Sequence, residues 1–280
     1  MIIAQLSDLH IGFSGRGQPC LNLKRLNQVL ASINQLRRQP DLMIISGDLI
    51  DPGTQWAYRD LQRALTNLNI PVFLALGNHD RRAAFVKVFG DYRLKDGYLQ
   101  YTIEDWPLRI IVLDTLDEGQ HGGSFCKTRA DWLESTLNEQ PRRPTLLVLH
   151  HPPTPSGIDW LTARREDGWV RRLTDVVRAA PNVKHIMAGH IHRSFFTQFA
   201  GVGLSVCPAV APQLYLEFDR IDPDKADGRP LLVEDGPGYC LHKWDGEELI
   251  SHVNTAPHGK VLLKYTPEYQ KLIKHTQNVH

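Results

Sequence analysis

Five runs of apolar residues, each stopping abruptly at a short polar cluster, limit what this chain can become. The runs are Ile2 to Leu6, Leu42 to Ile45, Val72 to Leu76, Leu146 to Leu149 and Val183 to Ala188. The clusters that end them are Asp8-Leu9-His10, Gly47-Asp48, Gly77-Asn78-His79-Asp80, His150-His151-Pro152-Pro153 and Gly189-His190-Ile191-His192. Short aliphatic runs bounded by turn residues read as buried strands of an α/β sheet. In such sheets the strand carboxyl ends share one edge, and ligand sites collect there. Carboxylates, an amide and imidazoles are therefore expected to converge on one pocket.

Between the runs the spacing turns helical. Leu23, Leu26, Leu30 and Ile33 recur at the period of a helix that closes before Pro40. A second helix is expected from Thr54 to Leu68, a third from Arg81 to Phe89, and a fourth around Trp132, Leu133 and Leu137. Thr128 and Asp131 resemble a capping box for the fourth, and Asn78 or Asp80 can cap the third. A fifth spans Trp169 to Ala179 and ends at Pro181. Tyr98 to Ile103 and Leu108 to Leu113 flank a Trp106-Pro107 turn, the signature of an antiparallel hairpin, so mixed sheets are expected.

Past His192 the strands shorten: Phe195 to Phe199, Leu204 to Cys207, Tyr239 to Lys243 and Leu249 to Val253. Asp219 to Gly238 is rich in Asp, Pro and Gly and reads as an exposed arm. The expected division is a catalytic core over residues 1–200. Residues 201–280 then supply strands that complete the sandwich and an arm or oligomerisation segment.

Bulk composition removes several alternatives. A net charge of +1 with dispersed Lys and Arg gives no basic groove for long nucleic acid and no pull toward an anionic membrane. No apolar stretch reaches the ~20 residues that span a bilayer. Cys20, Cys126, Cys207 and Cys240 form no CxxC pair, which fits reduced thiols and a cytoplasmic protein. The first residues lack the basic start and small-residue cleavage site of a signal peptide.

The clusters are a metal-ligand inventory long enough for two ions. With an extended backbone through Leu9, Asp8 and His10 project to one side and chelate together. His190 and His192 repeat that spacing. Asp48 has two oxygens and can bridge two cations. Asn78 offers a neutral amide oxygen, and His79 a free imidazole at the reaction centre. Of His150 and His151, neighbours in an extended chain, one is expected to face the site and the other to turn away.

Taken together, D-x-H, G-D, G-N-H-D, H-x-P and G-H-x-H in this order resemble the calcineurin-like metallophosphoesterase superfamily across residues 8 to 192. The compact early DxH is similar to that of bacterial class III cyclic-nucleotide and glycerophosphodiester phosphodiesterases. The resemblance implies a four-layer α/β/β/α sandwich with mixed sheets and a C-terminal β-rich extension. It gives one metal to Asp8, His10 and His192, the other to Asn78, His150 and His190, and the bridge to Asp48. His150 is preferred to His151 because the motif is H-x-P. The ions, among Fe, Mn, Zn and Co, would share a hydroxide that attacks phosphorus. Asp48, Asn78 and His79 are thus the expected catalytic residues, with His79 beside the leaving oxygen and Asp80 either orienting it or capping a helix.

The expected substrate is a small phosphodiester of cyclic-nucleotide or glycerophosphodiester type. Monoesterase or triesterase action on the same site, or a scaffold without chemistry, are the alternatives. Arg16, Arg81 and Arg82 lie near the clusters and would favour a monoester if they faced the pocket. The segment Thr154 to Gly168, with Ile158, Trp160 and Leu161, is expected to overhang the pocket, and His121 to approach it. By resemblance, the C-terminal part supports a homodimer or larger homo-oligomer, with Tyr215, Phe218 and Tyr239 as contact residues.

Overall fold

In the computed structural model, which describes residues 1–277, each of the five runs is a strand. The strands in chain order are β1 (Ile2–Leu6), β2 (Leu42–Ser46), β3 (Val72–Ala75), β4 (Tyr101–Ile103), β5 (Arg109–Val112), β6 (Thr145–Val148) and β7 (Val183–Ala188). They continue as β8 (Phe195–Phe199), β9 (Val202–Val206), β10 (Gln213–Leu214), β11 (Leu232–Val233), β12 (Gly238–Trp244) and β13 (Leu249–Thr255). The helices packed on them are α1 (Leu21–Asn34), α2 (Gln55–Leu65), α3 (Arg82–Val88), α4 (Lys127–Glu139) and α5 (Gly168–Arg178).

Two mixed sheets result. One runs β13-β12-β1-β2-β3, with β1, β2 and β3 parallel and β12 and β13 antiparallel. The other runs β4-β5-β6-β7-β9-β8, with a parallel centre and antiparallel β4 and β8 at its edges. The expected 98–113 hairpin is the β4-β5 pair.

Burial explains the unbroken apolar runs. Ile3, Leu42 and Ile44 meet Ile110, Val112, Leu146, Val148 and Met187 between the sheets. Their alternate neighbours Ala4, Leu6, Met43 and Ile45 pack under α1 and α2, and Ile111, Leu147 and Ile186 pack under α4 and α5. Both faces of each central strand are covered, so period-2 alternation of polarity disappears. The order of layers is helix, sheet, sheet, helix.

Three local expectations fail for physical reasons. Thr128 does not cap α4: the cap position is Cys126, which makes no side-chain capping bond, so Thr128 lies inside the helix. Neither Asn78 nor Asp80 caps α3, whose cap position is Arg81. Asp80 instead accepts from the backbone N–H groups of Gly77 (2.8 Å) and Leu49 (3.1 Å) and from the Tyr58 hydroxyl (2.9 Å). Tyr239 is fully buried in the core and is no contact residue, whereas Phe218 is exposed. No described helix is long and apolar enough to cross a membrane, and all four cysteines are free.

A polar seam runs through the apolar layer between the sheets. The Gln5 amide donates to Ser46 Oγ and to the Ala188 carbonyl of the opposite sheet, both at 2.9 Å. His242 completes it, with Nε2 3.0 Å from Gln5 Oε1 and Nδ1 2.7 Å from Ser251 Oγ. Gln5 Oε1 can only accept, so Nε2 carries a proton, and Nδ1 can take the Ser251 hydroxyl hydrogen when the ring is neutral. Burial, then the nearby His185 and His252, pushes the pKa of His242 down to about 3. A group depressed on folding contributes stability above its unfolded value near 6.5, and that stability drains away as pH falls toward the folded value. From pH 7.5 to 5 the His242 share of the loss is about 2 kcal/mol. His242→Gln keeps a polar partner without a titrating ring, so urea unfolding at the two pH values should differ by that much less. An unchanged difference would exclude His242 as the source.

Candidate active site

All five clusters lie at the carboxyl ends of parallel strands. Asp8 and His10 follow β1, Asp48 follows β2, Asn78 and His79 follow β3, His150 and His151 follow β6, and His190 and His192 follow β7. Two sheets thus feed one site from adjoining edges.

The backbone that aims these groups is not extended. Asp8, His10, Asp48, His190 and His192 all occupy the left-handed region, with φ of 54°, 45°, 49°, 73° and 54°. This corrects the expectation that Asp8 and His10 share a side because the chain stays extended. Each such non-glycine residue costs on the order of 1–2 kcal/mol. Surrounding bonds hold them there: the Asp48 carbonyl accepts from the backbone N–H of Leu9 (2.8 Å) and His10 (3.0 Å), and Asp8 N–H donates to the Gly47 carbonyl (3.1 Å). The motif glycines are sterically required as well. A Cβ at Gly77 would overlap the Asp48 carboxylate, and one at Gly189 would overlap Ser7 Oγ.

The side chains converge. Ligand atoms of Asp8, His10, Asp48 and His192 all lie within 4.8 Å of one another, as do those of His150, His151 and His190. His10 Nε2 is 3.5 Å from Asp48 Oδ2, His150 Nε2 is 3.4 Å from the same oxygen, and His192 Nε2 is 3.6 Å from Asp8 Oδ1. Asp48 therefore stands between the two groups. Its other oxygen accepts from the His79 backbone N–H at 2.9 Å.

Hydrogen bonds on the far side of the rings settle which nitrogen faces inward. His150 Nδ1 lies 2.9 Å from the Ser46 carbonyl, and His192 Nδ1 lies 2.9 Å from the Pro212 carbonyl. A carbonyl only accepts, so each Nδ1 carries the proton and each Nε2 presents a lone pair. His10 Nε2 and His192 Nε2 then approach to 3.0 Å, a separation that demands a shared proton or a shared cation. Asn78 Oδ1 and His150 Nε2 are buried without any hydrogen-bond partner. Buried polar atoms are seldom left unpaired, and inward-facing lone pairs on imidazole, amide and carboxylate fit divalent metal ions.

Charge follows the same plan. Burial opposes ionisation of Asp48, but His150, then His10 and His79, outweigh it and hold the carboxyl well below its usual range. Burial also works against a charged His150, yet Asp48 brings its pKa up to about 9, so the Nε2 lone pair becomes free for a metal ion only as that proton is displaced. Burial, followed by neighbouring His150, holds His190 well below the usual imidazole value. Asp80 is pushed up to about 7 by burial and by the Asp48 charge.

His79 is held by a residue that lies outside every sequence motif. Asp51 Oδ2 is 3.2 Å from His79 Nδ1 and 3.7 Å from His10 Nδ1. Asp80, buried and engaged with Gly77, Leu49 and Tyr58, is not the group that orients His79. The one sequence signal for Asp51 is a carboxylate three residues past Asp48, fixed before Pro52. His151 also departs from expectation. It does not turn away: its ring centroid lies 4.6 Å from that of His190, and its Nδ1 is 2.8 Å from Thr115 Oγ1.

The site opens into a cavity of about 450 Å³, whose wall includes His10, Asp48, Asn78, His79, His190 and His192. Trp160, Leu161 and His121 border it, whereas Ile158 of the same segment as Trp160 is buried in the core instead. Arg16, Arg81 and Arg82 do not line it. Arg82 makes a bidentate pair with Asp114 (2.7 and 2.8 Å), Arg81 donates to the Asp80 and Asn78 carbonyls, and Arg16 is exposed.

A family model described as calcineurin-like phosphoesterase matches residues 1–194. The chain belongs to that family. It is accordingly a phosphoesterase, a hydrolase by class. A relative from Arcobacter nitrofigilis, named a probable glycerophosphodiester phosphodiesterase GpdQ, is 30% identical over 261 residues, covering 91% of this chain and 93% of its own. The 3',5'-cyclic adenosine monophosphate phosphodiesterase CpdA of Escherichia coli is 29% identical over 216 residues, covering 75% of this chain and 76% of its own. Among solved structures, a dimetal phosphatase from Danio rerio superposes with a TM-score of 0.63 at 15% identity, over 90% of this chain and 98% of that one. That likeness concerns the fold, the calcineurin-like phosphoesterase sandwich.

Proposed function

We propose that this chain is a dinuclear metal-dependent phosphodiesterase acting on small phosphodiesters. One observation carries the reading. Asp8, His10, Asp48, Asn78, His150, His190 and His192 gather unpaired or mutually crowded donor atoms at one place beside the cavity, a set that bound cations would satisfy together. Asp8, His10 and His192 would hold one ion, Asn78, His150 and His190 the other, and Asp48 would contribute to both. When bound, two such ions lower the pKa of water and offset charge on a phosphoryl group.

The protein's own part is positioning and proton transfer. Asp51 accepts the Nδ1 proton of His79, which fixes the ring and leaves Nε2 for the leaving oxygen. Burial lowers the pKa of His79, but the bond to Asp51 and the charge of Asp48 raise it overall, which favours the proton-bearing ring that this role needs. Asn78, whose buried amide oxygen has no hydrogen-bond partner, borders the same cavity.

A diester is favoured over a monoester by charge. No Lys or Arg lines the cavity wall among the described residues, so nothing beyond the metals and histidines meets a second negative charge. After Mn or Co loading, bis-p-nitrophenyl phosphate should be hydrolysed at least about tenfold more efficiently than p-nitrophenyl phosphate, a difference of ~1.4 kcal/mol. Absence of diester turnover with two metals bound per chain would overturn the reading, and a reversed ratio would make the enzyme a monoesterase.

A further inference from the structure

We propose, resting on the phosphodiesterase reading, that the site is shaped for open-chain diesters with two unequal arms: a flat apolar one, and a smaller one. Two chambers meet at the reaction centre. The larger is the cavity of about 450 Å³, and beyond the metal-facing residues its walls are mostly apolar, with Phe13, Leu21, Pro212, Leu214 and Leu232 interrupted by Ser14 and Asn22. The smaller, of about 190 Å³, is of mixed character, bordered by Pro152, Trp169 and Ile191 as well as His151, Thr162 and Asp167. His121, Trp160, Leu161 and His190 border both. A phosphate beside His190 therefore has one opening toward the larger, apolar chamber and another toward the smaller, mixed one.

The residues of the apolar chamber call for an occupant. Phe13 is 73% exposed, Trp160 46% and Leu232 56%, and Leu21 is also exposed. They come from four separate places in the chain and surround one opening beside the reacting atoms. Apolar surface gathered so closely marks a binding site. The occupant must be joined to the phosphate, because His79, Asn78 and His192 form the floor of the same chamber. An aryl ring or a nucleobase-sized group on one ester oxygen meets that requirement. A cyclic phosphate ties both ester oxygens into one ring and leaves the smaller chamber without an arm. Open-chain diesters are consequently the better substrates.

Binding and turnover test this separately. Phosphinates carry one negative charge and two arms on P–C bonds that hydrolysis does not cleave. On the Mn-loaded full chain, calorimetry should give methylphenylphosphinate at least about tenfold higher affinity than dimethylphosphinate, since a half-buried ring removes several carbons from water. A second phenyl, in diphenylphosphinate, should add less than about threefold, because the other chamber is less than half as large and offers a ring His151, Thr162 and Asp167 beside its apolar groups. Phe13→Ala and Trp160→Ala each shorten a well-exposed side chain, and each should bring the methylphenyl preference down toward unity. Equal affinities in the unaltered protein, or a preference untouched by both substitutions, would overturn the apolar-arm assignment. In turnover, phenyl alkyl phosphates should exceed 3',5'-cyclic AMP in kcat/KM by about tenfold or more, and faster cleavage of the cyclic diester would overturn the open-chain assignment. If the phosphinate preference holds while no diester is cleaved, the subsite stands and the phosphodiesterase reading alone fails.

Discussion

Asp48→Asn will lower kcat/KM for bis-p-nitrophenyl phosphate by about a thousandfold or more, an effect of roughly 4 kcal/mol on the transition state. The substitution is nearly isosteric, so it isolates charge. Asp48 lies 3.5 Å from His10 Nε2 and 3.4 Å from His150 Nε2, and its carboxyl is held ionised by those rings and by His79. An amide offers one acceptor oxygen and no charge, so it cannot serve both donor groups. Metal content by mass spectrometry should fall from two ions per chain toward one or none. The backbone should survive, because the bonds from Leu9 and His10 end on the Asp48 carbonyl and not on its side chain. Near-normal activity with two metals retained would remove Asp48 from its assigned role.

His79→Ala will act differently. Both metals should remain, since His79 is assigned to proton transfer and not to ligation, while turnover falls according to the leaving group. A p-nitrophenolate leaves readily without a proton, so the loss should be about tenfold there, rising to 10²–10⁴-fold for an alkoxide. Asp51→Asn should give a smaller loss. Asp51 is the chief raising influence on His79, so its removal lowers the pKa of the ring. The protonated, proton-donating form is then lost at lower pH, and the alkaline limb of the kcat profile moves down. A His79→Ala loss independent of leaving-group basicity would exclude proton delivery, and an unmoved alkaline limb would detach Asp51 from His79.

Much of this centre is legible in the order of residues alone. Asp8, His10, Asp48, Asn78, His79, His150, His190 and His192 each follow an apolar run, and a run covered on both faces carries its signal in composition. The helices are legible for a related reason: residues such as Leu26, Leu30 and Ile33 repeat at the helical period. Caps are not, because Thr128 and Asp80 can satisfy donors in several ways. Asp80 finds partners on three separate segments, including Tyr58, that no local pattern records. Asp51 carries no motif because its importance is a distance to His79 across a turn, and Arg82 misleads because its partner Asp114 is distant in sequence.

The sequence by itself determined the kinds of donor, their order and the strands that carry them, since each is written in a few adjacent residues. Tertiary structure decided the rest. It set the left-handed turns that aim Asp8, His10 and His192, the nitrogen that each imidazole presents, and the withdrawal of Arg82 from the pocket. It also brought Phe13, Trp160 and Leu232 together around one chamber. These features depend on contacts between segments far apart in the chain. Their energies come from packing and from hydrogen bonds between those segments, so no single stretch of residues carries them.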